Sequence, residues 1–188
     1  MRALLPAIIL VGSIVAISYL LLRAQPVTEP TNQNPTASSS ASSSGAPAAN
    51  PVATIDLEKG GVIKIELFPK LAPKTVANFT AKANSGFYDN LTFHRVEDWV
   101  VQGGDPLGNG TGGGTQPTEI NPQPFKIGAV GVARGNDISV SNDAQFFIVK
   151  QDADWLDGQY TNFGQVTAGL DVLDGIQVGD KIRTIRVQ

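Results

Sequence analysis

The sequence predicts a mainly β protein: a closed, eight-stranded antiparallel barrel capped by two helices, preceded by an N-terminal transmembrane helix and a disordered linker. Three observations carry this expectation. Short segments in which apolar and polar residues alternate recur between residues 52 and 187, with the period of two that half-buried strands require. Only two stretches in that region show helical spacing, and no regular strand–helix alternation indicates a parallel sheet. Before residue 52 the chain is first aliphatic and then rich in Pro, Ser, Ala, Thr and Asn, which sets the globular part apart from its leader.

Length and composition narrow the function classes. A chain of 188 residues allows one domain with appendages, and a formal charge of -3 with no basic block gives no footprint for nucleic acid. Cysteine is absent, which excludes disulfides, thiolate catalysis and a lipidated cysteine. With a single histidine besides, no structural zinc site is expected.

Residues 4–22 are almost wholly apolar and lie between Arg2 and Arg23. As a helix this run would span ~28 Å, close to the ~30 Å hydrocarbon core of a bilayer. It exceeds a usual signal-peptide core and lacks an A-x-A cleavage pattern, so an uncleaved signal-anchor over 1–23 is expected. The short N-terminus then stays in the cytoplasm and the rest lies outside it, a single-pass protein of the cell membrane. Were the segment cleaved, the product would be secreted. Residues 24–51 carry too little apolar bulk to offset the entropy of ordering them, so a disordered linker is expected there. Residues 52–188 form the folded domain.

Taken in order, 52–57 and 62–67 alternate apolar with polar around Glu58-Lys59-Gly60-Gly61, a hairpin with a glycine-rich turn. Pro73 opens a helix whose Val76, Phe79 and Ala83 share a face, and Gly86 stops it. Strands are expected at 92–96, 99–103, 128–133, 145–149, 161–166 and 181–187, with a short second helix at 170–176. An eight-stranded barrel is filled by its own side chains, so a binding site is expected on its outer surface.

The run FHRVEDWVVQGGD at residues 93–105 places Arg95 and Gln102 on neighbouring strands, where both can project toward one face. An arginine beside an apolar patch is a fixed cationic fork that does not deprotonate. Gly108-x-Gly110-x-x-Gly113 also satisfies the bare dinucleotide-binding pattern. That pattern works only where a helix follows, and Pro117, Pro122 and Pro124 forbid one. The glycines are read instead as room for an extended peptide near the backbone. Ser139 and Ser141 have no motif that places a base beside them, which disfavours a hydrolase. Alternation turns His94 away from Arg95, so it is read as structural, as are Phe93 and Phe146. Strand alternation alone also allows Phe147 to be core. The acids Asp152, Asp154 and Asp157 lack calcium-loop spacing and are read as a solvated turn.

FHR, an apolar stretch and QGGD, followed by GNGTGG at 108–113 and preceded by APKTVANF at 72–79, resemble the signature of the cyclophilins, the peptidyl-prolyl cis-trans isomerases. The likeness runs from about Ala53 to Gln188. It implies the cyclophilin-like barrel, isomerisation of X–Pro bonds, a role in folding, and no cofactor; combined with the expected anchor, the substrates would be extracytoplasmic polypeptides. By the same resemblance Arg95 is the catalytic donor and Gln102 its partner. Trp99, Val100, Phe147 and Leu156 would form the proline pocket. Ala133, Arg134 and Gln145, with Gly112 nearby, would hold the peptide before the proline. Trp155 matches a groove-rim tryptophan that meets cyclosporin-type inhibitors, and Tyr160 a position often occupied by histidine. The implied partners are proline-containing polypeptides and, through the N-terminal helix, the membrane; a monomer is expected.

The sequence departs from the family pattern in places. One residue fewer separates Arg95 from Gln102, Trp99 stands where phenylalanine is usual, and Val100 where methionine is usual. Ala144 replaces a serine, and the loop 136–143 is longer than the commonest form. A non-catalytic proline-binding or chaperone module on the same fold is the alternative reading. Retention of both Arg95 and Gln102 favours the enzyme, because binding alone does not demand that pair.

Overall fold

The computed structural model describes residues 49–188. The expected membrane helix at 1–23 and nearly all of the expected linker at 24–51 lie outside the described residues. Among the described residues no helix is long and apolar enough to cross a membrane.

The described residues open with β1 (Val52–Leu57) and β2 (Val62–Leu67), whose strict alternation of buried and more exposed residues makes an antiparallel hairpin. Gly60 and Gly61 take φ of 93° and 101° in its turn, a region that side chains rarely enter. Helix α1 (Pro73–Asn84) begins at the expected proline and buries Val76, Phe79 and Ala83. Ala72 offers its first turn no side-chain cap. Glu119 does so from far along the chain, accepting from the backbone N–H of Lys74 (3.0 Å) and Thr75 (2.8 Å).

The remaining elements are β3 (Arg95–Val96), β4 (Val100–Gly103), β5 (Thr115–Pro117), β6 (Ala129–Arg134), β7 (Val140–Val149), a 3-10 turn (Asp154–Leu156), β8 (Asn162–Ala168), α2 (Leu170–Asp174) and β9 (Ile182–Val187). They build one curled antiparallel sheet in the order β3-β4-β7-β6-β8-β2-β1-β9, with β5 paired to β7. The expected architecture holds as a mainly β, antiparallel fold with two helices.

Three details differ from the sequence expectation. The sheet has nine strands rather than eight. The extra one, β5, pairs with the first residues of β7, which begins at Val140 rather than at 145. The Val140–Asp143 stretch carries no apolar alternation, so nothing in its pattern marks it as a strand. The third concerns closure. The strand expected at 92–96 is a ladder only at Arg95–Val96. Sheet ends β3 and β9 meet through the single Thr92–Lys181 bridge and bonds such as Phe93 N–H to Asp180 O, 2.9 Å. The result is a half-barrel whose last seam is a bridge, not a continuous ladder.

The sheet carries apolar side chains on both faces. Inside, Ile55, Ile65, Val101, Val130, Phe146, Ile148 and Phe163 pack under α1. Phe79 makes aromatic contacts with Tyr88, Phe146 and Phe163 at 5.2–5.7 Å between ring centroids. Outside, Val100, Phe147 and Val149 join Phe125, Ala129, Ala153 and Leu156 in a second cluster. Alternation along β7 divides the two layers, with Phe146 facing in and Phe147 facing out. Gly131 of β6 lies opposite Phe147, and a Cβ there would sit within the Phe147 ring. Replacing Gly131→Ala is therefore expected to cost about 1–3 kcal/mol by forcing the ring from its place. The check is a shift of the urea midpoint without change in its slope.

Candidate active site

Strand register brings the site together. Arg95 of β3 pairs with Gln102 of β4, Gln102 with Phe147 of β7, and Phe147 with Gly131 of β6. Residues in one such cross-strand row share a face. The row lies on the outer face of the sheet, so the site sits on the surface, in line with the expected outer position.

Hydrogen bonds then order the polar half of the row. Arg95 Nη1 donates to Gln102 Oε1 at 3.2 Å, and Gln102 Nε2 donates to Gln145 Oε1 at 2.9 Å. Gln145 is buried, and its Nε2 donates to the carbonyls of Gly110 (3.1 Å) and Gly112 (2.8 Å). The glycine loop is itself pinned by Asp105, whose carboxylate accepts from the backbone N–H of Leu107, Asn109 and Gly110. Burial pushes the Asp105 carboxyl up, but these three bonds together outweigh it and hold the pKa below its ordinary value.

Beside Arg95 lies a pocket of about 100 Å³, lined by Trp99, Val100, Gln102, Ala133, Arg134, Phe147, Leu156 and Tyr160 as well as Arg95 itself. Its floor is the outer apolar cluster. Phe125 stacks on Phe147 at 5.7 Å, and Tyr160 meets Phe147 edge-on at the same distance. Arg134 lies over the Tyr160 ring at 4.4 Å and is tied to the carbonyls of Gln159 and Gly135. A second, more polar cleft of about 250 Å³ adjoins the first and shares Gln102, Ala133 and Arg134 with it. Gly110, Gly114, Ser141, Asn142 and Gln145 contribute to its walls.

Nine of the sequence-predicted residues thus converge on the first pocket, and Gln145 lines the second. Trp155 is 59% exposed and stands at the rim, edge-on to Trp99 at 5.5 Å. Gly112 lines neither cleft: it is buried beneath Asp105, and its carbonyl anchors Gln145 and Asn142. His94 is not among the lining residues. Neither of its ring nitrogens finds a partner among the described residues, and burial pulls its pKa down, so the ring is neutral at pH 7. The acids read as a solvated turn tie that turn to the segment 125–127 instead: Asp152 accepts from Ile127 N–H, Asp154 from Lys126, and Asp157 from Phe125 N–H.

Sequence reasoning missed Glu97 and Gly131. Glu97 Oε1 accepts from Arg95 Nε at 2.7 Å, and its Oε2 accepts from the Trp99 indole N–H at 2.8 Å. The bond from Arg95, with that from Trp99, holds the Glu97 carboxyl below its usual range. Its place two residues after Arg95, hence on the same side of an extended chain, was an available signal. Gly131 had none, because only the register with Phe147 reveals the need for an absent side chain. Ser139 and Ser141, disfavoured as nucleophiles, bond instead to Asp137 and to the Thr118 hydroxyl. Chemically, the site offers a cationic donor held over an apolar pocket, with a polar groove leading away from it.

Residues 52–187 match the family described as cyclophilin type peptidyl-prolyl cis-trans isomerase/CLD. Peptidyl-prolyl cis-trans isomerase B of Bacillus subtilis is 46% identical over 138 residues, covering 70% of this chain and 94% of that protein. A peptidyl-prolyl cis-trans isomerase of Helicobacter pylori is 43% identical over 141 residues, covering 71% and 84%. Among solved structures, a Cryptosporidium parvum cyclophilin type peptidyl-prolyl cis-trans isomerase, crystallised in the presence of the dipeptide Ala-Pro, superposes with a TM-score of 0.66. It is 29% identical, and the match covers 73% of this chain and 98% of that one. A profile match over the whole sheet, together with relatives of this identity that the chain spans nearly end to end, places it in the cyclophilin family: it is a cyclophilin-type peptidyl-prolyl cis-trans isomerase.

Proposed function

We propose that this isomerase turns X–Pro bonds of polypeptides outside the cytoplasm and so assists their folding, with Arg95 as the catalytic donor. The observation that carries the reading is the Arg95–Gln102 hydrogen bond, set directly beside the apolar pocket of Trp99, Val100, Phe147 and Leu156.

Rotation about an X–Pro bond breaks amide resonance over a barrier of ~18–20 kcal/mol, so the free process takes tens to hundreds of seconds. As the bond twists, the prolyl nitrogen becomes pyramidal and gains a lone pair that accepts a hydrogen bond. A guanidinium aimed at that nitrogen interacts little with the planar amide and strongly with the twisted one, so it lowers the barrier. Each ~1.4 kcal/mol of that difference is tenfold in rate. The proline ring occupies the pocket over Phe147, and the peptide before it runs along the cleft past Ala133, Arg134 and Gln145. The Ala-Pro dipeptide used with the Cryptosporidium relative fits this assignment of the pocket to proline. Placement outside the cytoplasm rests on the apolar run at 4–22 and the missing cleavage pattern.

Arg95→Ala in the full-length chain is expected to lower kcat by about 10²–10³, the range seen when one transition-state donor is removed. Peptide affinity should change much less, because the apolar pocket supplies the ground-state binding. Phe147→Ala should show the reverse emphasis, weakening affinity by removing the pocket floor. Exchange spectroscopy on an X–Pro peptide measures both, with circular dichroism as the folding control. An Arg95→Ala enzyme as fast as wild type would reject the mechanism; wild type that binds without accelerating would establish the proline-binding module instead.

Cell fractionation tests the placement. The full-length chain should sediment with membranes, and its folded domain should be digested by protease added to spheroplasts. A shortened soluble product or a protected domain would contradict the anchor or the orientation respectively.

A further inference from the structure

Glu97 opens the tight turn between β3 and β4, where its backbone N–H donates to the Val100 carbonyl at 2.8 Å. Its two carboxylate oxygens do different things. Oε1 takes the Nε–H of Arg95, and Oε2 takes the indole N–H of Trp99. The Arg95 guanidinium also lies 5.4 Å from the centre of the Trp99 ring. Arg95, Glu97 and Trp99 therefore form a closed triangle at the lip of the proline pocket.

The side chain of Glu97 is 47% exposed and that of Arg95 42%. An exposed ion pair of this kind contributes little to folding. Its effect on geometry is larger. A guanidinium held by a single hydrogen bond can still swing about it. Here the bond to Glu97 is on Nε and the bond to Gln102 on Nη1, so two contacts on two nitrogens fix the plane of the fork. Nη2 makes no hydrogen bond to any described residue, which leaves it to donate.

We propose that Glu97 is a positioning residue for proline isomerisation. By gripping Arg95 and Trp99 with one carboxylate, it ties the donor to the wall of the pocket that holds the proline ring. Donor and ring then keep one spacing as the bond twists. The proposal rests on the reading of Arg95 as the catalytic donor. Gln102 fixes the donor relative to the sheet; Glu97 fixes it relative to the pocket wall. Transition-state bonds are steep functions of such spacing, and a misplacement of about 1 Å can cost 10²-fold. The carboxylate's charge also opposes the cation it holds, but solvent screens that effect at an exposed site, so placement dominates.

The test compares wild type, Glu97→Ala, Glu97→Gln, Arg95→Ala and the Glu97→Ala/Arg95→Ala double variant, all as the full-length chain in detergent micelles, on one X–Pro peptide. Glu97→Ala is expected to lower kcat about tenfold while KM changes less than about threefold, the pattern of a lost transition-state contact. Glu97→Gln keeps an acceptor for Arg95 Nε and should recover much of that loss. The double variant should be no slower than Arg95→Ala alone, because Glu97 acts through Arg95. Thermal midpoints report folding, and Glu97→Gln keeps the comparison open should Glu97→Ala misfold. A Glu97→Ala kcat within about twofold of wild type, a Glu97→Gln enzyme faster than wild type, or the same fold-loss in the Arg95→Ala background would each overturn the proposal. Should Arg95→Ala itself keep the wild-type rate, the donor reading falls and Glu97 with it. Loss in Arg95→Ala but not in Glu97→Ala would overturn the role of Glu97 alone.

Discussion

The polarity of one hydrogen-bonded relay decides what this site presents. At one end are the carbonyls of Gly110 and Gly112, which can only accept. They require the amide nitrogen of Gln145, which turns the Gln145 oxygen toward Gln102. Gln102 must then offer its own nitrogen there, and its oxygen is left facing Arg95. The guanidinium, which can only donate, completes the chain. An amide can in principle be turned end for end, but a chain running from an obligate acceptor to an obligate donor has one consistent direction. The glycine loop, and the Asp105 that pins it, thereby set the orientation of a side chain two strands away.

The apolar half of the site follows from a second constraint, the use of both faces of the sheet. Phe146 and Phe147 are adjacent, yet one closes the inner core and the other floors the pocket. A surface strand would usually present polar groups outward. Here the outward face is covered by Phe125, Ala153 and Leu156, and Gly131 gives the Phe147 ring its space. The pocket beside Arg95 is therefore a gap in a second packed layer, and its walls are as constrained as a core.

Much of this was legible in the residues. The spacing of Arg95 and Gln102, read as two short strands, placed both side chains on one face, and the register confirms that they pair directly. The hairpin, helix α1 and the alternation of β7 followed from simple periodicity. What escaped did so for physical reasons. Strand β5 and the start of β7 hold together by backbone pairing between polar residues, where hydrophobic pattern is silent. The helix cap from Glu119 and the need for Gly131 are long-range facts with no local mark. Trp99 looked like a strand residue, but β4 starts one residue later, and Trp99 instead occupies the turn, where Glu97 draws it to the lip of the pocket.

The central claim is that a planar cationic fork, and not merely a positive charge, drives the rotation. Arg95→Lys keeps the charge but cannot serve Glu97, Gln102 and the prolyl nitrogen from one plane. The direct measurement is the on-enzyme interconversion rate of a saturating X–Pro peptide, by exchange NMR, in wild type and Arg95→Lys. The expected result is a rate at least about tenfold slower, with the dissociation constant within about twofold, since only the transition state uses the fork. An Arg95→Lys enzyme that interconverts bound peptide as fast as wild type would contradict the claim.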